Sequence, residues 1–197
     1  MDAYLKDQFD FTGVKAALLV EQSILVILRD NKPAIPWPNM WELTGGGREG
    51  LETPLECLRR EVWEELGLIL EEKSIIWSKI YPSMLDKDRS AVFVVVQISQ
   101  EQYQEIDFGD EGQEFKLMPI EDFIKAEGII PLLQERFKDY LSEKEENNIF
   151  LYIGMILVIL NAIFLDFNFF VNILGLALIL FSSNIIKLIG NFLKDDH

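Results

Sequence analysis

The chain has 197 residues, 49% of them hydrophobic, with 18 basic and 33 acidic side chains and a formal net charge of −15. That length accommodates one ordinary domain with its own core plus an appendage, and so large an excess of carboxylates repels phosphate backbones, which excludes a DNA or RNA polymer as partner. One cysteine, Cys57, excludes an intramolecular disulfide framework and a cysteine-cluster zinc site, and points to a reducing compartment.

Residues Met1 to Val20 carry acids early and lack a basic-then-apolar pattern, so no signal peptide is expected. Val14 to Val20 and Ser23 to Leu28 are apolar, β-branched-rich runs parted by Glu21-Gln22, the pattern of a β-hairpin. Pro33, Pro36 and Pro38 around Trp37 mark a loop over Asn31 to Asn39, and Trp41 to Leu43 reads as a short strand before Gly45-Gly46-Gly47. Thr53-Pro54-Leu55-Glu56 is a helix start: Thr53 at the N-cap, Pro54 at the first helical position, Glu56 closing a capping box. Leu55, Leu58, Val62 and Leu66 recur at helical spacing, and Gly67 ends the helix. Ile75 to Ile80, Ala91 to Ile98 and Phe115 to Met118 are further strands, the second nearly continuous in Val and Phe as a buried central strand would be. Pro131 to Glu145 predicts a C-terminal helix carrying Leu132, Leu133, Phe137 and Leu141. Strands and helices mix without regular alternation, which favours an α/β or α+β layout over a doubly wound one.

The chemistry concentrates between Gly46 and Leu68. With Thr53 capping the helix, Glu61, Glu64 and Glu65 fall at i, i+3 and i+4 on one face. An E-x-x-E-E pattern alone is more often a solvated face. Three carboxylates held this close, however, repel unless a divalent cation neutralises them, and oxygen-only ligation selects hard ions, Mg²⁺ first and Mn²⁺ second. Such ions bridge phosphate oxygens and acidify bound water. Arg60 precedes the cluster and is placed to fix a carboxylate by a charge-assisted hydrogen bond.

The segment GGREGLETPLECLRREVWEELGL resembles the Nudix box of the Nudix hydrolase family at every fixed position: the glycine, Glu52, Arg60-Glu61-Val62, Glu64-Glu65 and Gly67-Leu68. Nine such matches arise by chance in a chain this long with a probability of roughly 10⁻⁷ at average residue frequencies. The resemblance, which covers about residues 10 to 145, implies a Nudix-type α/β/α sandwich with a mixed sheet. By position it implies that Glu61 activates or orients water and ligates metal, that Glu64 and Glu65 are metal ligands, that the Gly45 carbonyl also coordinates the ion, and that Glu52 is mainly structural. Asp110-Glu111-Gly112-Gln113 resembles the Glu-Gly-Gln loop of MutT-like members, making Glu111 a further candidate metal and catalytic residue, with an acidic surface turn as the alternative. Arg29 aligns with a nucleotide-contacting arginine of that branch, and Arg29, Trp41 and Gly46 are the candidate substrate contacts; Arg29 is equally an exposed strand-end charge, and Trp37 and Trp41 are equally structural aromatics. Cys57 has no histidine near it, and the lone histidine, His197, is terminal and supports no His-based chemistry. Many members have proline where this chain has Thr44, which leaves the loop usable but looser.

Beyond this region the character of the chain changes. From Ile149 the charged residues are Asp166, Lys187, Lys194, Asp195 and Asp196, and the preceding part carries 16 basic and 30 acidic residues. Ile149 to Leu165 and Phe167 to Ile186 are uncharged runs about 25 and 30 Å long as helices, against a hydrocarbon slab of about 30 Å. They read as a transmembrane helical hairpin, with Asn161 and Asn172 able to bond between helices; a buried pair packing on the domain or a partner subunit is the alternative. Lys187 and Lys194 favour a cytoplasmic face for both ends. The expected organisation is a hydrolase domain over residues 1–146 and a membrane hairpin over 147–197. The expected activity is Mg²⁺-dependent hydrolysis of a nucleoside diphosphate linked to another group X. A MutT-type nucleoside triphosphate pyrophosphohydrolase is the leading subtype, ADP-ribose or a nucleotide sugar an alternative substrate, and a non-catalytic nucleotide sensor the rival from another class.

Overall fold

In a computed structural model, residues 2–163 are described together with Gly175, Ala177 and Leu178. The apolar runs form the strands their composition indicates. β1 (Phe11–Val20) turns at Glu21-Gln22 into antiparallel β2 (Ser23–Leu28), with Leu19 opposite Ile24 and Val20 opposite Ser23. β6 (Glu114–Pro119) pairs along the whole of one edge of β2, while the other edge is shared between β1 near the hairpin and β3 (Trp41–Glu42) at the far end. β5 (Ser90–Gln97) runs parallel to β1, from Val14↔Val92 to Leu19↔Gln97, and β4 (Ile75–Pro82) pairs antiparallel with β5. The strand order is β3-β2-β1-β5-β4 with β6 on β2, so the sheet is mixed as expected.

Because β1 and β2 part after their hairpin, the glycine loop fills the gap between them. Ala16 N–H donates to Thr44 O at 2.8 Å, Val14 N–H to Gly46 O at 3.0 Å and Arg48 N–H to Thr12 O at 2.9 Å. Gly45 takes a φ of 116°, and a Cβ there would lie 2.3 Å from Val14 O, so only glycine lets the loop follow the strand this closely.

α1 (Pro54–Leu66) begins at Thr53 with both halves of its capping box made and ends at Gly67 in the left-handed conformation. Its buried Leu55, Leu58, Val62 and Leu66 pack with Val14, Ala16 and Leu18 of β1 and Val92, Val94 and Val96 of β5. Each such side chain is worth about 2 kcal/mol when fully buried. The alternate residues Ala17, Leu19, Phe93 and Val95 are buried too, so the opposite face of the sheet is also covered. Two short helices, α2 (Gln100–Gln104) and α3 (Ile120–Phe123), add to the expected elements. Phe123 meets Phe137 of α4 (Pro131–Ile163) edge to face at 5.5 Å.

The chain divides into two compact units, Met1–Lys138 and Asp139–His197. In the second, the described helix is exposed at Ile149, Phe150, Tyr152, Ile156 and Ile159 but buried at Gly154. Gly175 packs there: a Cβ built on it would sit 3.4 Å from Val158 Cγ2 and 3.5 Å from Leu157 Cβ. Among the described residues no helix is long and apolar enough to cross a membrane. The expected second span, 167–186, lies outside the described residues except at Gly175, Ala177 and Leu178, as do the end of the first span and His197.

Candidate active site

The phase of α1, fixed by its cap, directs Glu61, Glu64 and Glu65 toward the glycine loop. Glu61 lies so close to Gly46 that a Cβ on that residue would sit 2.5 Å from Glu61 Oε2. Gly45 N–H donates to Glu65 Oε2 at 2.9 Å. Loop and helix thus position each other, the loop held by β1 and the helix by its apolar stripe.

Arg60 ties the carboxylates together. Its Nε and Nη2 donate to the two oxygens of Glu52 at 2.7 and 3.1 Å, and Nη2 also donates to Gly47 O at 2.8 Å. Its Nη1 donates to Glu61 Oε1 at 2.8 Å and Glu64 Oε2 at 3.0 Å. The guanidinium lowers the Glu52 carboxyl below the usual range, while its own pKa is raised chiefly by the hydrogen bonds to Glu52. Burial raises Glu61 despite Arg60 beside it, and pushes Glu65 up to about 8, with Lys15 and the Gly45 N–H only partly opposing. Behind this face, Lys15 Nζ donates to Glu42 and to Leu43 O at 3.0 Å, and Arg29 Nη1 donates to the other Glu42 oxygen.

These residues line a cleft of about 1040 Å³. Glu61, Glu64, Glu65, Gly45, Gly46, Arg60, Arg29 and Glu111 are all on its wall, so the structure brings together nearly every site residue singled out from the sequence. Trp41 is not on the cleft wall; its backbone bonds to Gly128 and Ile130, and Lys116 Nζ lies 4.0 Å from its ring centre. Trp37 lines the cleft instead, with a φ of 51° that is costly for so bulky a residue. Arg29 faces the cleft but its Nε is taken by Pro36 O at 3.0 Å. Gln113 Nε2 donates to Arg29 O and Asn39 Oδ1, tying the Glu111 loop to the proline-rich loop and leaving Glu111 exposed at the rim. Cys57 is buried against Gly47 O, its thiol pushed up to about 12 chiefly by burial. That matches an inert residue.

Among the described residues no three acidic, histidine or cysteine side chains converge to hold an ion, and Arg60 bonds both Glu61 and Glu64. In kind and in charge the group still fits a hard divalent cation. Its donors are carboxylate and carbonyl oxygens, and burial holds protons on Glu61 and Glu65 above the usual carboxylate range, protons that a divalent cation would replace. Sequence reasoning missed Lys15, Glu42 and Arg136 on the cleft wall. Lys15 carried a signal, as the one charge in the apolar run Val14 to Val20.

The NUDIX domain model matches residues 11–139. The fold is similar to that of a MutT protein from Methanosarcina mazei Go1, at 19% identity and a TM-score of 0.55, over 68% of this chain and 96% of that one. It is also similar to a bifunctional NMN adenylyltransferase/ADP ribose pyrophosphatase from Francisella tularensis, complexed with AMP and a manganese ion, at 21% identity and a TM-score of 0.55, over 70% of this chain and 42% of that one. A Nudix hydrolase from M. smegmatis, RenU, is similar at 14% identity and a TM-score of 0.52, over 68% and 86% of the two chains. No curated protein matches the sequence.

Proposed function

The chain belongs to the Nudix hydrolase family, and from that membership we propose that it uses Mg²⁺, or Mn²⁺ in its place, to hydrolyse a phosphoanhydride bond in a nucleoside diphosphate joined to a second group X. The observation that carries this reading is that Glu61, Glu64, Glu65 and the glycine loop line one cleft, with burial raising two of the carboxylates.

Glu61, Glu64, Glu65 and the Gly45 carbonyl would hold the divalent ion, which would supply positive charge toward the phosphates and lower the pKa of a nearby water. Glu61 takes a proton from the attacking water as its oxygen bonds to phosphorus, and the bridging P–O bond breaks toward the leaving phosphate. Arg60 is a positioning residue for Glu61 and Glu64. Glu111, exposed on the rim, would be a further ligand of that ion.

Two substrate types are each favoured by one observation. The Glu111-Gly112-Gln113 loop at the cleft favours a nucleoside triphosphate, cleaved to the monophosphate and pyrophosphate. The 1040 Å³ volume favours a larger X, as in ADP-ribose or a nucleotide sugar. The exposed apolar face of α4 and the seat of Gly175 on Leu157 and Val158 support a C-terminal hairpin that tethers the enzyme to the membrane, its catalytic domain in the cytoplasm. Incubating the full-length chain with Mg²⁺ and a nucleotide panel tests the reading. Turnover with release of phosphate-bearing fragments supports it, and tight binding without turnover assigns a nucleotide sensor instead.

A further inference from the structure

Arg136 lines the same cleft as the acidic helix, yet none of the contacts at Glu61 to Glu65 involves it. It is 3% exposed. Its Nη2 donates to Pro82 O at 2.6 Å and the guanidinium lies 4.8 Å from the Tyr81 ring centre, but its Nε is buried without a partner. Among the described residues no carboxylate pairs with it, although Asp86 shares the cleft wall. Burial lowers its pKa. A guanidinium taken out of water with no counter-ion is costly, and a carbonyl and an aromatic face offset only part of that cost.

The sheet register separates its anchor, Pro82, from the glycine loop. Gly47 bridges to Gly13 of β1, β1 pairs with β5 through Phe11↔Ser90 and Val14↔Val92, and Ser90 and Ala91 pair with Pro82 and Tyr81 of β4. Three interstrand steps are about 14 Å. The cleft therefore has an acidic pole at α1 and, well beyond the length of a diphosphate, a cationic pole at Arg136.

We propose that Arg136 is a specificity residue that binds a second anionic group of the substrate, a carboxylate or phosphate carried away from the diphosphate bridge, on X or on the nucleoside. This rests on the phosphoanhydride-hydrolase reading and narrows it to substrates with such a group over plain triphosphates. The ligand's anion supplies the counter-ion that the Arg136 guanidinium lacks, and charge-assisted bonds of this kind are worth about tenfold or more in binding.

Matched substrate pairs test it with the full-length chain and Mg²⁺. UDP-glucuronate against UDP-glucose places a carboxylate on X, and ADP-ribose 2′-phosphate against ADP-ribose places a phosphate on the nucleoside. The wild type is expected to favour the anionic member of at least one pair by about tenfold or more in kcat/KM, chiefly through KM, and the pair that shows it identifies which side carries the group. Arg136→Gln brings that ratio near one, and Arg136→Lys keeps part of it. Wild-type ratios near one in both pairs overturn the proposal without any variant, as does an Arg136→Gln ratio equal to that of the wild type. If no member is hydrolysed, the same ratios are read from equilibrium binding by calorimetry, so failure of the hydrolase reading is told apart from failure of the Arg136 assignment.

Discussion

Glu65 offers a quantitative test of the buried acidic face. Its carboxyl is pushed up from 4.5 to about 8, chiefly by burial. Below pH 4.5 the residue is protonated in both folded and unfolded chains and costs nothing. Between 4.5 and 8 the unfolded chain has released the proton while the folded one holds it, so stability falls as pH rises; above 8 both are ionised and the loss is complete. A displacement of about 3.5 at about 1.4 kcal/mol each sets a ceiling near 5 kcal/mol, and water reaching the carboxyl from the cleft reduces this to about 2–3 kcal/mol. Urea unfolding of the full-length chain in mild detergent with EDTA, from pH 5 to 9, reads the loss. Glu65→Gln, which cannot ionise, should retain only the shallower slope contributed by Glu61, and Mg²⁺ should flatten the wild-type profile by replacing the proton. Parallel profiles for wild type and variant in EDTA would refute the burial argument.

Other outcomes follow from single contacts. Gly46→Ala places a Cβ where Glu61 Oε2 now lies; it should lower kcat about a hundredfold through displacement of Glu61 while circular dichroism stays native. Arg60→Met leaves Glu52 and Glu61 partly buried without their cation and should cost about 3 kcal/mol by chemical unfolding. Arg60→Lys should recover only part, since an ammonium cannot reproduce the forked contact with Glu52. Cys57, its thiol pushed up to about 12, should resist a thiol reagent at pH 8 until the chain is unfolded in urea.

How much was legible in the sequence depended on how local the determining physics is. The capping box at Thr53 and Glu56 and the stop at Gly67 fixed the helix and its carboxylate face, because caps and helical phase act within a few residues. The continuous Val and Phe run marked β5 as buried on both faces, as it is. The glycine loop's bonding along β1 was not legible: nothing local says that β1 and β2 part after their hairpin, and that gap is what seats Gly46 on Glu61. Trp41 and Trp37 flank the same loop and look alike in sequence. Only the pairing of β3 with β2, together with Lys116 over the ring, separates the structural tryptophan from the one on the cleft. Arg136 sits among the charged residues of a C-terminal helix and reads as surface, its burial coming from β4 more than fifty positions away. The short helix α2 had a readable start in Ser99 and Gln102, but its five residues carry no apolar period.

The central claim is that Glu61, Glu64 and Glu65 hold a divalent cation for phosphoanhydride chemistry, and electron paramagnetic resonance of Mn²⁺ titrated into the full-length chain measures this directly. The account predicts loss of the free-ion signal on binding to the wild type in the presence of a non-hydrolysable nucleoside diphosphate analogue, competition by Mg²⁺, and binding weakened at least tenfold in Glu65→Gln. An unaltered free-ion spectrum with the analogue present, or equal binding by wild type and Glu65→Gln, would contradict it.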